Sequence, residues 1–297
     1  MKTTKPFRQK LKSFGIIILI LWLGIILWGL IFAWRKVPEY VTQNNIQIPA
    51  PIMNNEEYGQ VINSHPRPYI LNIKAEGGGA VFVYGAEHTK DSNDPQITDI
   101  QNQWADFHPT VALIESRLGI MFPGLMDPVE TFGEPGIVHA LARQDGIPTY
   151  TWEPPISVQM ESLLNQIPTR EQTALYVVLG PAFGARRFGT AEDSERIVAE
   201  AINDRSDYPG IENAFESLAD VDAAWDKYFP NGPDWRDVSD EFGLPGYLAD
   251  IDGNIARDEH LVRSIIDLVQ KGERVFIVAG SSHSVKIEAT LTVQFGK

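Results

Sequence analysis

Residues 275–283 read VFIVAGSSH and residues 81–88 read VFVYGAEH, so two separate apolar runs each lead into a Gly-x-x-His motif. Short apolar runs that end at glycine are typical of the buried strands of a parallel sheet. A histidine just beyond such a strand lies at the edge where open α/β sheets bind ligands. The matched pair therefore predicts one site that contains His88 and His283 and is assembled from both ends of a domain.

Strand-like runs followed or preceded by helical patterns recur around these motifs. Strands are predicted at 81–84, 110–114, 147–152 and 274–279, and helices are predicted after Asp94-Pro95, at 134–145 and at 261–269. Helical crossovers are right-handed and return the chain to run in the same direction, so these units predict an α/β fold with a mainly parallel central sheet flanked by helices. Four strands then end at one edge, where His88, Glu115, Glu153 and His283 can converge.

The remaining sequence predicts the domain organisation. Residues 1–14 form a basic tail, residues 15–34 a transmembrane helix, residues 35–55 a linker that contains several prolines, and residues 56–297 the folded domain. Within that domain, residues from about 155 to 230 show helical patterns and no strand of comparable quality. We therefore expect this stretch to be an inserted helical cap.

The N-terminal apolar segment predicts a membrane anchor. Residues 15–34 contain no charge, and twenty helical residues span about 30 Å, the thickness of the hydrocarbon core. The basic residues before the segment predict a cytoplasmic N-terminus, which places the main domain in the periplasm or outside the cell. A cleaved signal peptide would have a shorter apolar region and a small-x-small cleavage site, which residues 31–35 do not supply. We therefore predict a single-pass membrane protein.

Composition excludes several classes of protein. The chain has a formal net charge of -14, and its first 36 residues carry basic but no acidic side chains, so the rest is still more acidic. Such a surface repels polyphosphate, and we expect no nucleic-acid partner. The chain has no cysteine, which rules out disulfides, thiolate metal sites and a cysteine nucleophile.

Two imidazoles and a carboxylate suggest hydrolytic chemistry. His88, Glu115 and His283 are a ligand set suited to a divalent ion such as zinc, manganese or cobalt, which acidifies bound water. The same groups can work without metal, because a carboxylate raises the basicity of a neighbouring histidine. Glu153 and Arg257 are further candidates, and so is Glu87 if the turn after Gly85 redirects its side chain. The other four histidines, at positions 65, 108, 139 and 260, show no partner pattern and are interpreted as structural.

These motifs resemble the TraB/GumN/Tiki family, which belongs to a superfamily with erythromycin esterases and haem-binding ChaN lipoproteins. The resemblance rests on both Gly-x-x-His motifs, on Glu115 after a strand and on Arg257-Asp258 at the start of a late helix. Ala86 stands where TraB-like members usually carry threonine, so the substrate does not follow from the resemblance. It implies an α/β fold and, as in Tiki-like members, metal-dependent peptide hydrolysis at the two histidines and the glutamate.

The sequence thus predicts a membrane-anchored hydrolase that cleaves peptide or ester bonds in a peptide or small-molecule substrate. The alternative is a binding protein that uses the same cleft without turnover to sequester a peptide or haem. In that case a histidine and the neighbouring Tyr84 could ligate haem iron.

Overall fold

The computed structural model describes residues 33–42, 45–185, 193–236 and 251–296, together with single positions at 16, 18–20, 22–27, 29 and 248. The chain divides into two units, each formed by three segments. The described residues of the first unit fall within Met1–Pro38, Pro66–Thr151 and Leu268–Ser284. Those of the second fall within Glu39–His65, Trp152–Asp267 and Val285–Lys297.

The first unit contains a five-stranded sheet in the order β1-β2-β5-β3-β4. Its strands are β1 (Tyr69–Lys74), β2 (Ala80–Ala86), β3 (Val111–Ile114), β4 (Thr149–Thr151) and β5 (Arg274–Gly280). The last four run parallel to their neighbours, and β1 pairs antiparallel with β2 at the edge. The prediction of a mainly parallel sheet is therefore confirmed, and β1 is an additional strand.

Helices α2 (Pro95–Phe107), α3 (Pro128–Phe132) and α4 (Glu134–Asp145) belong to the same unit. Asp94 caps α2 by accepting a hydrogen bond from the Gln96 amide, and Pro95 occupies the first turn, where its missing N–H costs nothing. Gly146 ends α4 in the left-handed conformation, with φ 72°. The start of α2 and the end of α4 therefore lie where their capping residues predict.

Aromatic side chains fill the core beside the sheet. The rings of Phe82 on β2 and Phe276 on β5 stack with 5.2 Å between centroids, and Trp104 of α2 packs edge-on against Phe276. The three central strands β2, β3 and β5 are almost entirely buried, which explains their continuous apolar sequences.

The second unit is helical and has its own apolar core. It contains α1 (Asn55–Val61), α5 (Ile156–Gln166), α6 (Arg170–Ala185), α7 (Ser194–Arg205) and α8 (Leu218–Tyr228). Helices α9 (Ile255–Gln270) and α10 (Ser281–Phe295) contribute residues to both units. Leu175, Leu179, Val221 and Trp225 are among the buried residues of this core. In the described residues between 155 and 230 all regular elements are helices, as predicted, while their role as a cap stays a prediction.

The predicted linker, residues 35–55, contains residues that pack into each unit. Val37 belongs to the core beside the sheet. Tyr40 is buried in the second unit and its hydroxyl donates a hydrogen bond to Asp267 at 2.8 Å. Isolated apolar residues between prolines have no periodicity, so the sequence pattern did not reveal their burial.

The predicted transmembrane segment, residues 15–34, lies partly outside the described residues. Its described positions between 16 and 29 are helical, and large apolar side chains such as Leu19 and Trp22 are exposed there. Within the described part of the chain, none of the helices combines the length and the apolar character that a bilayer crossing requires.

Candidate functional site

The two Gly-x-x-His motifs lie side by side at one edge of the sheet. Strands β2 and β5 are parallel neighbours, with Gly85 opposite Ala279 and Ala86 opposite Gly280. Helix α10 begins directly after β5 and carries His283 in its first turn. Segments far apart in the sequence are thus adjacent in the fold because their strands pair.

Each glycine of the pair makes room for a residue of the other motif. A Cβ atom on Gly280 would lie 2.9 Å from Nε2 of His88. A Cβ atom on Gly85 would lie 2.6 Å from Oγ of Ser284, the residue after His283, and 2.7 Å from the backbone oxygen of Tyr69. Real Cβ atoms essentially never approach other atoms so closely, so a side chain at Gly85 would clash with the Tyr69 backbone and one at Gly280 would displace the His88 ring.

Glu115 links the end of β3 to the start of α10. Its Oε1 lies 3.6 Å from Nε2 of His283, and its Oε2 accepts a hydrogen bond from the Gly280 amide at 2.7 Å. Both side chains are buried. The carboxylate also sits where the amide groups at a helix N-terminus favour negative charge. The structure thus brings Glu115 and His283 together.

His88 is oriented by Glu134, the first residue of α4. Oε2 of this buried glutamate lies 3.5 Å from Nδ1 of His88, and its Oε1 accepts a hydrogen bond from the Thr89 amide at 2.6 Å. With Nδ1 toward Glu134, Nε2 faces the Gly280 side of the site. The His88 side chain is 41% exposed, so solvent can reach it.

Glu134 is a site residue that the sequence reasoning missed, because it was interpreted only as the start of a helix. Its neighbour Gly133 has a φ of 67°, and a Cβ atom there would lie 2.9 Å from the backbone oxygen of Thr89. The α3–α4 turn therefore approaches the residue after His88 closely. An acid directly after a glycine that separates two helices was the only local signal.

Two of the predicted groups, His88 and Glu115, lie beside Gly280, and the third, His283, contacts Glu115. Nε2 of His88 and Oε2 of Glu115 lie 2.9 and 3.7 Å from the position of a Cβ atom on Gly280, and Glu115 contacts His283. Donors about 2.0–2.2 Å from one metal ion can be separated by a distance like that between Glu115 and His283, so this pair alone has the donor types and spacing of two ligands of a divalent ion. Across the described residues, no group of three or more His, Cys, Asp or Glu side chains has the geometry of a metal site.

Glu87 is not part of this convergence. Its side chain is exposed and lies 3.5 Å from Nη1 of Arg67. Its backbone amide donates to Gln96 at 2.9 Å. The turn after Gly85 therefore leaves the Glu87 carboxylate in a surface ion pair, as expected for neighbours in an extended segment.

Glu153 and Arg257 pair with each other in the second unit. Nε and Nη2 of Arg257 donate to the two carboxylate oxygens of Glu153 at 2.8 and 2.7 Å, and Nη1 donates to Asn254 at 2.8 Å. The guanidinium lies 5.0 Å from the ring centroid of Trp152. This two-pronged geometry is the strongest form of an arginine–carboxylate contact. Both carboxylate oxygens of Glu153 are therefore engaged by Arg257.

Tyr84, the candidate haem ligand of the alternative hypothesis, forms a hydrogen bond with Asp99. It is buried, and its hydroxyl donates to Asp99 at 2.9 Å. Burial and this acidic neighbour raise the pKa of the Tyr84 phenol well above its usual range. Iron ligation by tyrosine uses the deprotonated oxygen, so these contacts argue against Tyr84 as a haem ligand.

His139, one of the histidines interpreted as structural, is buried against the edge of the Trp34 ring, with 5.1 Å between centroids. Among the residues that the structure describes, its two ring nitrogens have no hydrogen-bond partner. Burial, together with the positive charge of Arg143, lowers the pKa of His139 to about 4. The imidazole is therefore neutral at physiological pH.

The free energy of unfolding should fall as the pH is lowered from about 6.5 to about 4. The unfolded chain protonates His139 near pH 6.5 and the folded chain only near pH 4, so in this window the unfolded state holds more protons. The contribution approaches about 3 kcal/mol. His139→Leu should remove that part of the pH dependence in urea unfolding, and the control His65→Gln should keep it. Equal slopes for His139→Leu and wild type would contradict the assignment.

No protein-family model matches this chain, and comparison with curated proteins and with solved structures finds no significant match. The geometry of the site and the sequence motifs are therefore the observations that bear on function.

Proposed function

We propose that this protein is a membrane-anchored, extracytoplasmic hydrolase of peptide or ester bonds, with its site at His88, Glu115 and His283. The observation that supports the proposal is that His88 and Glu115 lie beside Gly280 while Glu115 also contacts His283. Two imidazoles and a buried carboxylate at the edge of a parallel sheet are acid–base groups that can activate water. The resemblance to the TraB/GumN/Tiki family supports the same reaction class.

In this proposal His88 is the group that takes a proton from water. Glu134 accepts from Nδ1 and fixes the tautomer that leaves the Nε2 lone pair available, as carboxylate–histidine pairs do in other hydrolases. Nε2 faces the point shared with Glu115. The exposure of His88 allows a substrate carbonyl to approach that point.

Glu115 and His283 hold the opposite side of the site. The first turn of α10 provides backbone N–H groups that have no partner within the helix and can stabilise the oxyanion of a tetrahedral intermediate. When bound, a divalent zinc, manganese or cobalt ion would polarise the scissile carbonyl and acidify water. Of the predicted ligands, Glu115 and His283 have the spacing that would let them hold it.

The proposed location follows from the sequence of the first 36 residues. The apolar segment anchors the chain in the cell membrane, and the basic tail keeps the N-terminus in the cytoplasm. The hydrolase site then faces the periplasm or the cell exterior.

The decisive assay compares histidine variants of the full-length protein in detergent on a panel of peptides and esters. His88→Ala and His283→Ala should each lower the rate by roughly 100-fold or more, because a positioned acid–base group contributes about that much. His108→Asn is the matched control, since His108 is exposed and has a φ of 52°, which asparagine tolerates. A fully active double variant of His88 and His283 would overturn the proposal.

Treatment with a chelator distinguishes metal-dependent hydrolysis from hydrolysis by the imidazoles alone. If a divalent ion is used, dialysis against a chelator should abolish hydrolysis, and the added ion should restore it. If the imidazoles act alone, the rate should be unchanged by the chelator and should follow the protonation of a histidine. Metal analysis of the purified protein gives an independent readout.

A further inference from the structure

An apolar loop follows Glu115 and projects large side chains into solvent. Ile120, Phe122 and Leu125 are exposed, Ile120 by 64% and Leu125 by 74%. Elsewhere in the described chain after residue 40, exposed large apolar residues lie singly, more than five positions apart. Three such side chains in one short loop form a patch that folding alone does not explain.

Buried side chains and backbone hydrogen bonds fix the conformation of this loop. Leu118 and Met121 are buried, and the Phe122 backbone oxygen accepts from the amides of Leu125 and Met126 at 3.1 and 3.0 Å. Gly124, with φ 79°, allows the chain to reverse. The structure therefore presents Leu125 at the tip of an ordered turn.

The same loop is joined to the end of the predicted transmembrane segment. Trp34 and Met121 exchange backbone hydrogen bonds, at 2.8 Å from the Trp34 amide and 3.3 Å from the Met121 amide. The Phe122 ring lies against Gly29, where a Cβ atom would be 3.3 Å away. Tryptophan is enriched at membrane–water interfaces, so Trp34 is expected at the level of the lipid headgroups. Its backbone pairing with Met121 then places the loop at the same level.

A basic cavity lies beside the residues that follow Trp34 in the chain. It has a volume of about 490 Å³, and its lining includes Arg35, Lys36 and Arg143. The Arg143 guanidinium lies 5.7 Å from the ring centroid of Trp34. Two buried polar residues of the lining, His139 and Thr149, have side-chain atoms without hydrogen-bond partners. In an acidic protein this is a local positive surface that suits phosphate headgroups.

We infer that the bilayer surface docks on this face, with Ile120, Phe122 and Leu125 inserted among the lipids and the basic cavity at the headgroup phosphates. The inference rests on the membrane anchoring proposed above and adds a second, non-helical contact with the same membrane. Apolar side chains flanked by arginine and lysine are the pattern of interfacial membrane contacts. Glu115 lies five residues before Ile120, so docking holds the hydrolase site close to the membrane and favours substrates presented at its surface.

The absence of cysteine makes a direct test possible. Leu125→Cys and Ile120→Cys are labelled with an environment-sensitive fluorophore in the full-length protein, reconstituted in vesicles of phosphatidylcholine and phosphatidylglycerol. Ile70→Cys is the matched control, because Ile70 is an exposed apolar residue on β1 of the same unit. The loop labels should show blue-shifted emission and be quenched by lipids with a doxyl group about 5–10 Å below the headgroups. The Ile70 label should show neither effect.

Flotation of the same samples separates this inference from the proposals on which it rests. If the protein floats with the vesicles and the loop labels behave like the Ile70 label, the docking inference is overturned while the anchor stands. If the protein does not float, both the anchor and the docking are wrong. Quenched loop labels in a protein without hydrolytic activity support docking and count against the hydrolase alone.

Discussion

Glu115→Gln should lower the rate of hydrolysis by roughly 10³-fold while leaving the fold intact. Glutamine has the same size and can still accept the hydrogen bond from the Gly280 amide. Its neutral amide has no negative charge with which to attract a cation or a protonated imidazole, so the contact with His283 loses its charge. The effect should fall on turnover, with circular dichroism and the unfolding midpoint close to wild type.

Glu87→Gln is the matched control for this experiment. It removes a carboxylate next to His88, but that carboxylate is exposed and paired with Arg67. Surface ion pairs contribute little, so both activity and stability should stay near wild type. An active Glu115→Gln enzyme, or equal losses in the two variants, would show that the buried carboxylate is not the chemical group we assign.

The sequence allowed the sheet and its helices to be predicted where local signals were strong. The β2 and β5 runs are continuously apolar because both faces are covered, and Asp94-Pro95 and Gly146 have capping roles that depend only on their neighbours. Strand β1 escaped prediction because it lies at the sheet edge and only Leu71 is buried along it. The residue pattern of an edge strand depends on packing against its neighbouring strand, so the strand is hard to recognise from its own sequence.

The site was predictable in part for the same reason. Parallel strands end at a common edge, so the placement of His88, Glu115 and His283 followed from their positions after strands. The role of Glu134 depends on the approach of Gly133 to Thr89, which is a tertiary contact without a local pattern. Both members of the Glu153–Arg257 pair were named as candidates, but nothing in the sequence indicated that they bind each other.

Glu153→Ala should destabilise the second unit by about 3–5 kcal/mol. The side chains of Arg257 and Glu153 are only 16% and 7% exposed, so the substitution leaves a mostly buried guanidinium without its carboxylate. Glu153→Gln keeps one hydrogen-bond acceptor and should cost less. Urea unfolding followed by tryptophan fluorescence measures the change, and Trp152, next to the Arg257 guanidinium, is one of the seven tryptophans that contribute to the signal.

Glu259→Ala provides the matched comparison on the same helix. Glu259 pairs with Arg263 at 2.9 Å, a distance like that of the buried pair, but both side chains are 38–39% exposed. The cost should therefore stay below about 1 kcal/mol. Replacing both Glu153 and Arg257 by methionine should recover much of the loss from Glu153→Ala, because removing both charges leaves neither one buried alone.

These measurements also decide whether Glu153 and Arg257 act in catalysis, as the sequence suggested. If the pair acts only through folding, Glu153→Ala should lower the free energy of unfolding and the rate of hydrolysis together. The double methionine variant should then recover both. If Glu153→Ala costs no more than Glu259→Ala, or if Glu153→Gln abolishes hydrolysis at wild-type stability, the pair does not act through folding. Its bidentate geometry would then have to be explained by contact with the substrate.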